Sequence, residues 1–297
     1  MKKLIISVTM AAVCSMYISA QTAQTMQEVV HEYSAHIGGG MGAMRYNLPI
    51  GAQSGGAGVD FGVGYTLIFR NASAVETGTV SRSQWGIHTG FGFGFYGAKT
   101  SLNGETTINA GLLDSDRDFF DLHSTVRGYE ETQRMTLLNI PVMGQHEFDR
   151  YYVMGGFKFG VPLNAKYRSN GARLDNEADY YEIGGARLKG PSFVGFGDNF
   201  AFDKTEGSLN YGVSVMLSLE AGVKWRINEN IYVYTGAYFD YGLNNAAKNL
   251  ERSPFVNYAN NVDYDAVKFT ANSILFPFQE KMNVMAVGVK VRVGFAR

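Results

Sequence analysis

Cysteine is almost missing from this chain. The single one, Cys14, sits in an apolar N-terminal run, so nothing beyond it can form a disulfide or a thiolate metal site. Proline is scarce, with 6 in 297 residues, which leaves room for long uninterrupted strands. Charge of one sign is missing too: 26 Lys and Arg stand against 27 Asp and Glu, a net of −1. Nothing in that balance suggests a nucleic-acid partner, which would need a basic face. Past the N-terminal run there is no apolar stretch long enough for a spanning helix. The mean hydropathy of −0.11 does not exclude a bilayer, because a spanning strand shows lipid only every second residue.

The start of the chain reads as a targeting segment. Lys2 and Lys3 precede the apolar run Leu4–Ile18, and Ser19-Ala20 offers small residues before a cut at Gln21. A signal peptide is therefore expected over 1–20, a periplasmic segment over 21–31 and one β-barrel domain over 32–297. Cys14 as an acylated lipoprotein cysteine fits poorly, since Val13 precedes it.

Glycine and aromatics are abundant: 36 Gly, 20 Phe and 18 Tyr. They alternate in eight segments with a period of two, the signature of half-buried strands. One face is apolar, as with Val59, Phe61, Val63, Tyr65, Leu67 and Phe69, or Val213 through Trp225 at odd numbers. The other face is small, polar or charged. It carries Asp60, Lys158, Glu220, Lys224, Asp240, Lys290 and Arg292, with His36, His88 and many glycines.

Three features turn the apolar face outward into lipid. The best runs reach about 11–15 residues, beyond the mean of ordinary strands and enough to span a bilayer. Both charge signs share the inward face, where they can pair across a lumen. Connections alternate between short, as at Asp149-Arg150 and 228–230, and long, as at 98–133, 167–209 and 244–282. The link 71–83 is long for a periplasmic turn and 45–56 short for an outer loop. That topology gathers Phe69, Trp85, Phe148, Tyr151, Trp225 and Phe295 at the periplasmic edge, as an aromatic girdle.

Leu138-Asn139-Ile140-Pro141-Val142, a tight turn, and Tyr151 through Gly160-Val161-Pro162-Leu163 then resemble the PorT-like, porin-family group of outer-membrane proteins. The resemblance spans about thirty residues. It implies an OmpA-like closed transmembrane barrel in the outer membrane, with lipid and the barrel-assembly machinery as partners, and no particular activity. Ala296 and Arg297 follow Phe295 where such barrels usually end on an aromatic residue.

Other motifs fail on context. Gly38–Ala43 contains G-x-G-x-x-A, but Pro49 and nearby glycines leave no helix for a dinucleotide site. Asp114-Ser115-Asp116-Arg117-Asp118 opens like a calcium loop, yet Phe119 and Thr125 stand where Gly and Glu are needed. Asp121 and His123, near Asp116 and Asp118, suggest an omptin-type Asp/His pair, but all lie in one loop. His36 and His88 are too few for a metal site.

The expected fold is all-β: an eight-stranded antiparallel transmembrane barrel with long extracellular loops, rising to ten or more strands if outer hairpins join the wall. Eight strands leave a lumen that side chains fill. The expected role is structural or surface-interacting, without enzyme activity, cofactor or metal. A narrow porin-like channel, a lipid- or peptide-hydrolysing barrel and a soluble ligand-binding barrel are the alternatives.

Overall fold

The computed structural model describes residues 27–71, 83–114, 116–184, 187–247, 252–258 and 269–297. The leader at 1–20 with Cys14, most of the link 71–83 and parts of the last outer stretch lie outside them.

In chain order the strands are β1 (Gln27–Tyr46), β2 (Ala52–Asn71), β3 (Ser83–Leu102) and β4 (Glu105–Leu113). Next come β5 (Phe119–Arg127), β6 (Tyr129–Phe148), β7 (Tyr151–Ser169) and β8 (Ala172–Tyr180). The short β9 (Arg187–Leu188), β10 (Gly197–Phe202) and β11 (Glu206–Ser208) precede β12 (Ser214–Arg226) and β13 (Ile231–Gly242). Last are β14 (Val256–Asn257), β15 (Thr270–Ala271) and β16 (Met282–Ala296).

Eight of them close a ring in the order β1-β2-β3-β6-β7-β12-β13-β16, each antiparallel to its ring neighbours. The expected strand number holds. The strands are longer than the alternation suggested: β1, β2, β3 and β6 have 20 residues each. β1 already pairs at Gln27↔Asn71, so residues 27–31, expected to precede the barrel, belong to its first strand. The ring keeps eight strands, with the short β11 added to the upper end of β7. β4, β5, β8 and β10, with β9 on β8, form a second sheet above it. Positive φ at Gly104 (106°) and Gly128 (67°) turns the chain from wall to upper sheet.

The two phases of each wall strand are opposite in kind. Outward Ile37, Phe91 and Val289 are 60%, 56% and 69% exposed. A continuous apolar belt of this sort is untenable in water and expected in lipid. Inward Asp60, Glu220, Asp240, Lys158 and Arg292 are buried.

The ring is narrow, and its two halves share the space unequally. Inward positions of β1–β3 are dominated by glycine, while those of β7, β12, β13 and β16 carry the long side chains. Gly62 faces Gly92 across β2–β3, and a Cβ on Gly62 would lie 2.6 Å from the Gly92 Cα and 3.0 Å from the His36 ring.

The two strand prolines sit where a missing N–H does least harm. At Pro141 the β3–β6 ladder passes from Thr89↔Val142 to Gly92↔Asn139 without pairing at 140–141. Pro162 adjoins the register shift on β7, where Leu137 pairs Pro162 and Thr136 pairs Asn164.

Gly62→Val must push on backbone and is expected to cost about 1–3 kcal/mol. Gly39→Val, outward with no atom within 4 Å of its added Cβ, should be neutral. Urea midpoints in detergent, read by heat-modifiability on gels, check the contrast.

Candidate functional site

Two neighbouring regions concentrate the unusual chemistry: the lumen and the outer mouth. In the lumen five of the seven charged side chains named from the sequence meet one another directly. Lys158 Nζ donates to Asp240 Oδ2 at 2.6 Å, and Ser218 Oγ donates to the other oxygen at 2.5 Å. Lys290 lies 3.1 Å from Glu220 and 3.6 Å from Asp60. Tyr152 donates to Glu220 at 2.9 Å, and His36 lies 3.4 Å from Asp60. His88 bonds Thr66 at 2.8 Å.

Nearer the short-turn end, Lys224 reaches Glu147 at 2.8 Å. The Tyr234 hydroxyl, with a single proton to give, lies 2.6 Å from a Glu32 oxygen and 3.1 Å from a Glu147 oxygen. Arg292 has its guanidinium carbon 4.2 Å from the Tyr234 ring centroid and donates to Gln145 at 3.3 Å. Opposite charges and aromatic faces thus offset much of the cost of burial, while Glu32 Oε1, Asp60 Oδ1 and Arg292 Nε have no hydrogen-bond partner among the described residues. The cavity left among His36, Asp60, Asn139, Lys290 and Arg292 is about 20 Å³, room for about one water.

Sequence reading named the seven charges, and Tyr234 beside Asp240 on the inward face, but not Glu32, Glu147 or Tyr152. Their inward parity was readable; their pairing was not, because partners come from strands up to 202 residues apart.

The mouth is closed by different means. Inward Glu131 on β6 accepts hydrogen bonds from Tyr129 at 2.5 Å, Gln133 at 2.7 Å, Ser273 at 2.7 Å and the Ile274 N–H at 3.1 Å. Those bonds fix a strap from the last outer loop across the opening. Ser273, Ile274 and Leu275 on it are wholly buried. Phe255, Val256 and Phe269 pack beside them against Phe120, Leu122, Val126 and Leu174 on the inner face of the upper sheet. Nothing in the sequence pattern marked this strap, since its contacts are all long-range.

The loop motifs have structural employment. Asp114 Oδ1 accepts the Asp116 and Asp118 N–H groups at 2.9 and 3.0 Å, and its other oxygen accepts Tyr180 at 3.0 Å. Ser115, within that motif, lies outside the described residues. Asp121 Oδ1 accepts from Tyr181 at 2.6 Å and the Gly111 N–H at 2.9 Å. The Tyr181 bond, more than the backbone one, holds its carboxyl below the usual range. His123 stands opposite Glu177 on β8, whose carboxyl is lowered chiefly by Lys189 at 2.8 Å. Among the described residues no three His, Cys, Asp or Glu side chains are grouped to hold a metal. At the short-turn end, Trp85, Phe148, Tyr151, Trp225 and Phe295 stand exposed on the outward phase, and Phe69 is half-buried.

Comparison with known proteins follows the same lines. Residues 20–248 match the family model described as an outer membrane protein beta-barrel domain. No curated protein sequence matches the chain. Solved structures similar to it include Ail of Yersinia pestis, crystallised with the heparin analogue sucrose octasulfate. It is 10% identical, with 90% of this chain and 99% of that chain covered and a TM-score of 0.25. Neisserial surface protein A is 11% identical, covering 89% and 95%, with a TM-score of 0.21. The outer membrane protease OmpT of Escherichia coli is 8% identical, covering 93% and 97%, with a TM-score of 0.23. Family match and closed ring agree: the chain belongs to the outer membrane protein beta-barrel family, and its place is the outer membrane.

Proposed function

We propose that this protein is a closed outer-membrane barrel whose role is structural or surface-interacting, carried by the upper sheet and not by transport or catalysis. The observation behind this is double closure. The lumen is lined with paired ions, the cavity among His36, Asp60, Asn139, Lys290 and Arg292 is only about 20 Å³, and the Glu131-bound strap lies over the outer end. Within the family, a PorT-like, OmpA-like placement is supported by β6 and β7, whose Ile-Pro and Gly-Val-Pro strands meet at Asp149-Arg150. Export through the 1–20 leader belongs to the same proposal.

Against the channel alternative stand the buried charges and tyrosines that fill the lumen among the described residues, and the hydrolase alternative has its Asp121 engaged by Tyr181. If Asp121 and His123 nevertheless worked as a pair, alanine at both would abolish lipid or peptide hydrolysis by the purified barrel.

In planar bilayers the protein is expected to show no steady single-channel steps. Glu131→Ala frees the strap without emptying the lumen. Protease should then cut the last outer loop faster, still with no steps; porin-like conductance in either protein would end the proposal.

Lys158→Met leaves Asp240 buried with only Ser218 as a donor among the bonds described, and is expected to cost about 3–5 kcal/mol. Adding Asp240→Leu should restore most of that. Urea titration in detergent reads both, and equal stability of all three would show that the pair does not hold the lumen.

A further inference from the structure

Outside the lumen, on the outward face of β6, β7 and β11, lies a groove of about 720 Å³. Its charged lining is Glu130, Arg134, Lys166, Arg168, Lys204 and Glu206. Four cations face two carboxylates, although the protein as a whole is almost neutral.

The pairing register sharpens this imbalance. Arg168 stands opposite Glu206 on β11 and bonds it at 2.9 Å, so Arg168 has its counter-charge. One row nearer the membrane, Arg134 stands directly opposite Lys166, and Lys166 opposite Ser208. Like charges directly across a ladder repel. Among the described residues, no carboxylate lies within ion-pair distance of either. Lys99 on β3, opposite Thr132, adds a further outward cation one row away. The arrangement is that of an anion site: two cations and a hydroxyl on three adjacent strands.

Its height identifies the anion. On β7 the apolar outward run begins at the girdle residue Tyr151 and ends at Leu163. At a strand rise of about 3.3 Å and a tilt near 40°, that run climbs about 30 Å, the apolar band with its girdle. Lys166 stands about 8 Å above Leu163, and Arg134 about 10 Å above Leu138, by the same rise and tilt. Both face sideways, toward neighbouring lipid and not toward the outer medium. At that level the groups available in bulk are lipid headgroups, and cations there attract anionic ones.

We propose that Arg134, Lys166 and Ser208 hold the phosphorylated headgroup of an outer-leaflet lipid against the barrel wall. Guanidinium and ammonium donate charge-assisted hydrogen bonds to phosphate oxygens, and the hydroxyl donates a third. The phosphate removes the repulsion between the two cations, and the acyl chains continue down the apolar face below Leu163.

The test uses the full protein folded in detergent, titrated by native mass spectrometry with bis-phosphorylated lipid A. Arg134→Ala with Lys166→Ala should weaken binding about thirtyfold, at about one such cation's surface contribution each. Arg134→Lys with Lys166→Arg should keep affinity within a few-fold. Lys189→Ala, on the upper sheet, should leave it unchanged. Heat-modifiability of each variant shows that the barrel is folded. Fully dephosphorylated lipid A should bind about as poorly to the parent protein as bis-phosphorylated lipid A binds to the double alanine variant. The proposal falls if the double alanine variant binds as the parent does, or if removing the phosphates makes no difference. It falls also if inorganic phosphate displaces the lipid at equal concentration, which would make the groove a site for the free ion.

Discussion

Closure of the hydrogen-bonded ring is the constraint from which the rest follows. In hydrocarbon an unpaired backbone amide has no water to turn to, so the β16–β1 seam must be made as completely as any internal pair. It is, from Glu32↔Ala296 to Tyr46↔Met282. Closing on eight strands makes the tube narrow, and narrowness dictates what each strand can present inward. That is why β1–β3 are glycine-rich on the phase where β12, β13 and β16 carry Glu220, Tyr234 and Arg292. The two walls are complementary in volume. The glycine run that looked like a nucleotide fingerprint is the thin side of a packed lumen.

This division also accounts for what could be read from the chain alone. Parity is local: once Phe61 and Phe93 are outward, Asp60 and Gly92 are inward, and no knowledge of neighbours is needed. Strand number, orientation and the inward set of charges follow from parity and connection length. Partnership is not local. Glu32 meets Tyr234 and Glu147 because the ring brings together strands from both ends of the chain. The upper sheet was hidden for a related reason. β4, β5 and β8 continue strands of the wall, and Gly104 and Gly128, which part them from it, look in sequence like ordinary loop residues. The strap at Ser273–Leu275 has no periodicity at all, and only the four donors converging on Glu131 reveal it.

Charge is handled in opposite ways inside and outside the wall. In the lumen, Lys158 faces Asp240 and Lys290 faces Glu220 and Asp60, so the protein supplies its own counter-ions. Such pairs do not add much stability over apolar packing, but each half strongly requires the other. They make the filled lumen specific more than strong. On the outward rim Arg134 and Lys166 face each other, and the carboxylate partners that Lys158, Lys224 and Lys290 have inside are missing. A fold that pairs its buried lysines with carboxylates leaves this pair to repel at a height where the surrounding medium supplies anions. The same rule, that a charge in a poor solvent must meet its opposite, therefore accounts for both places. In the lumen the opposite charge is part of the chain; at the rim it is part of the membrane.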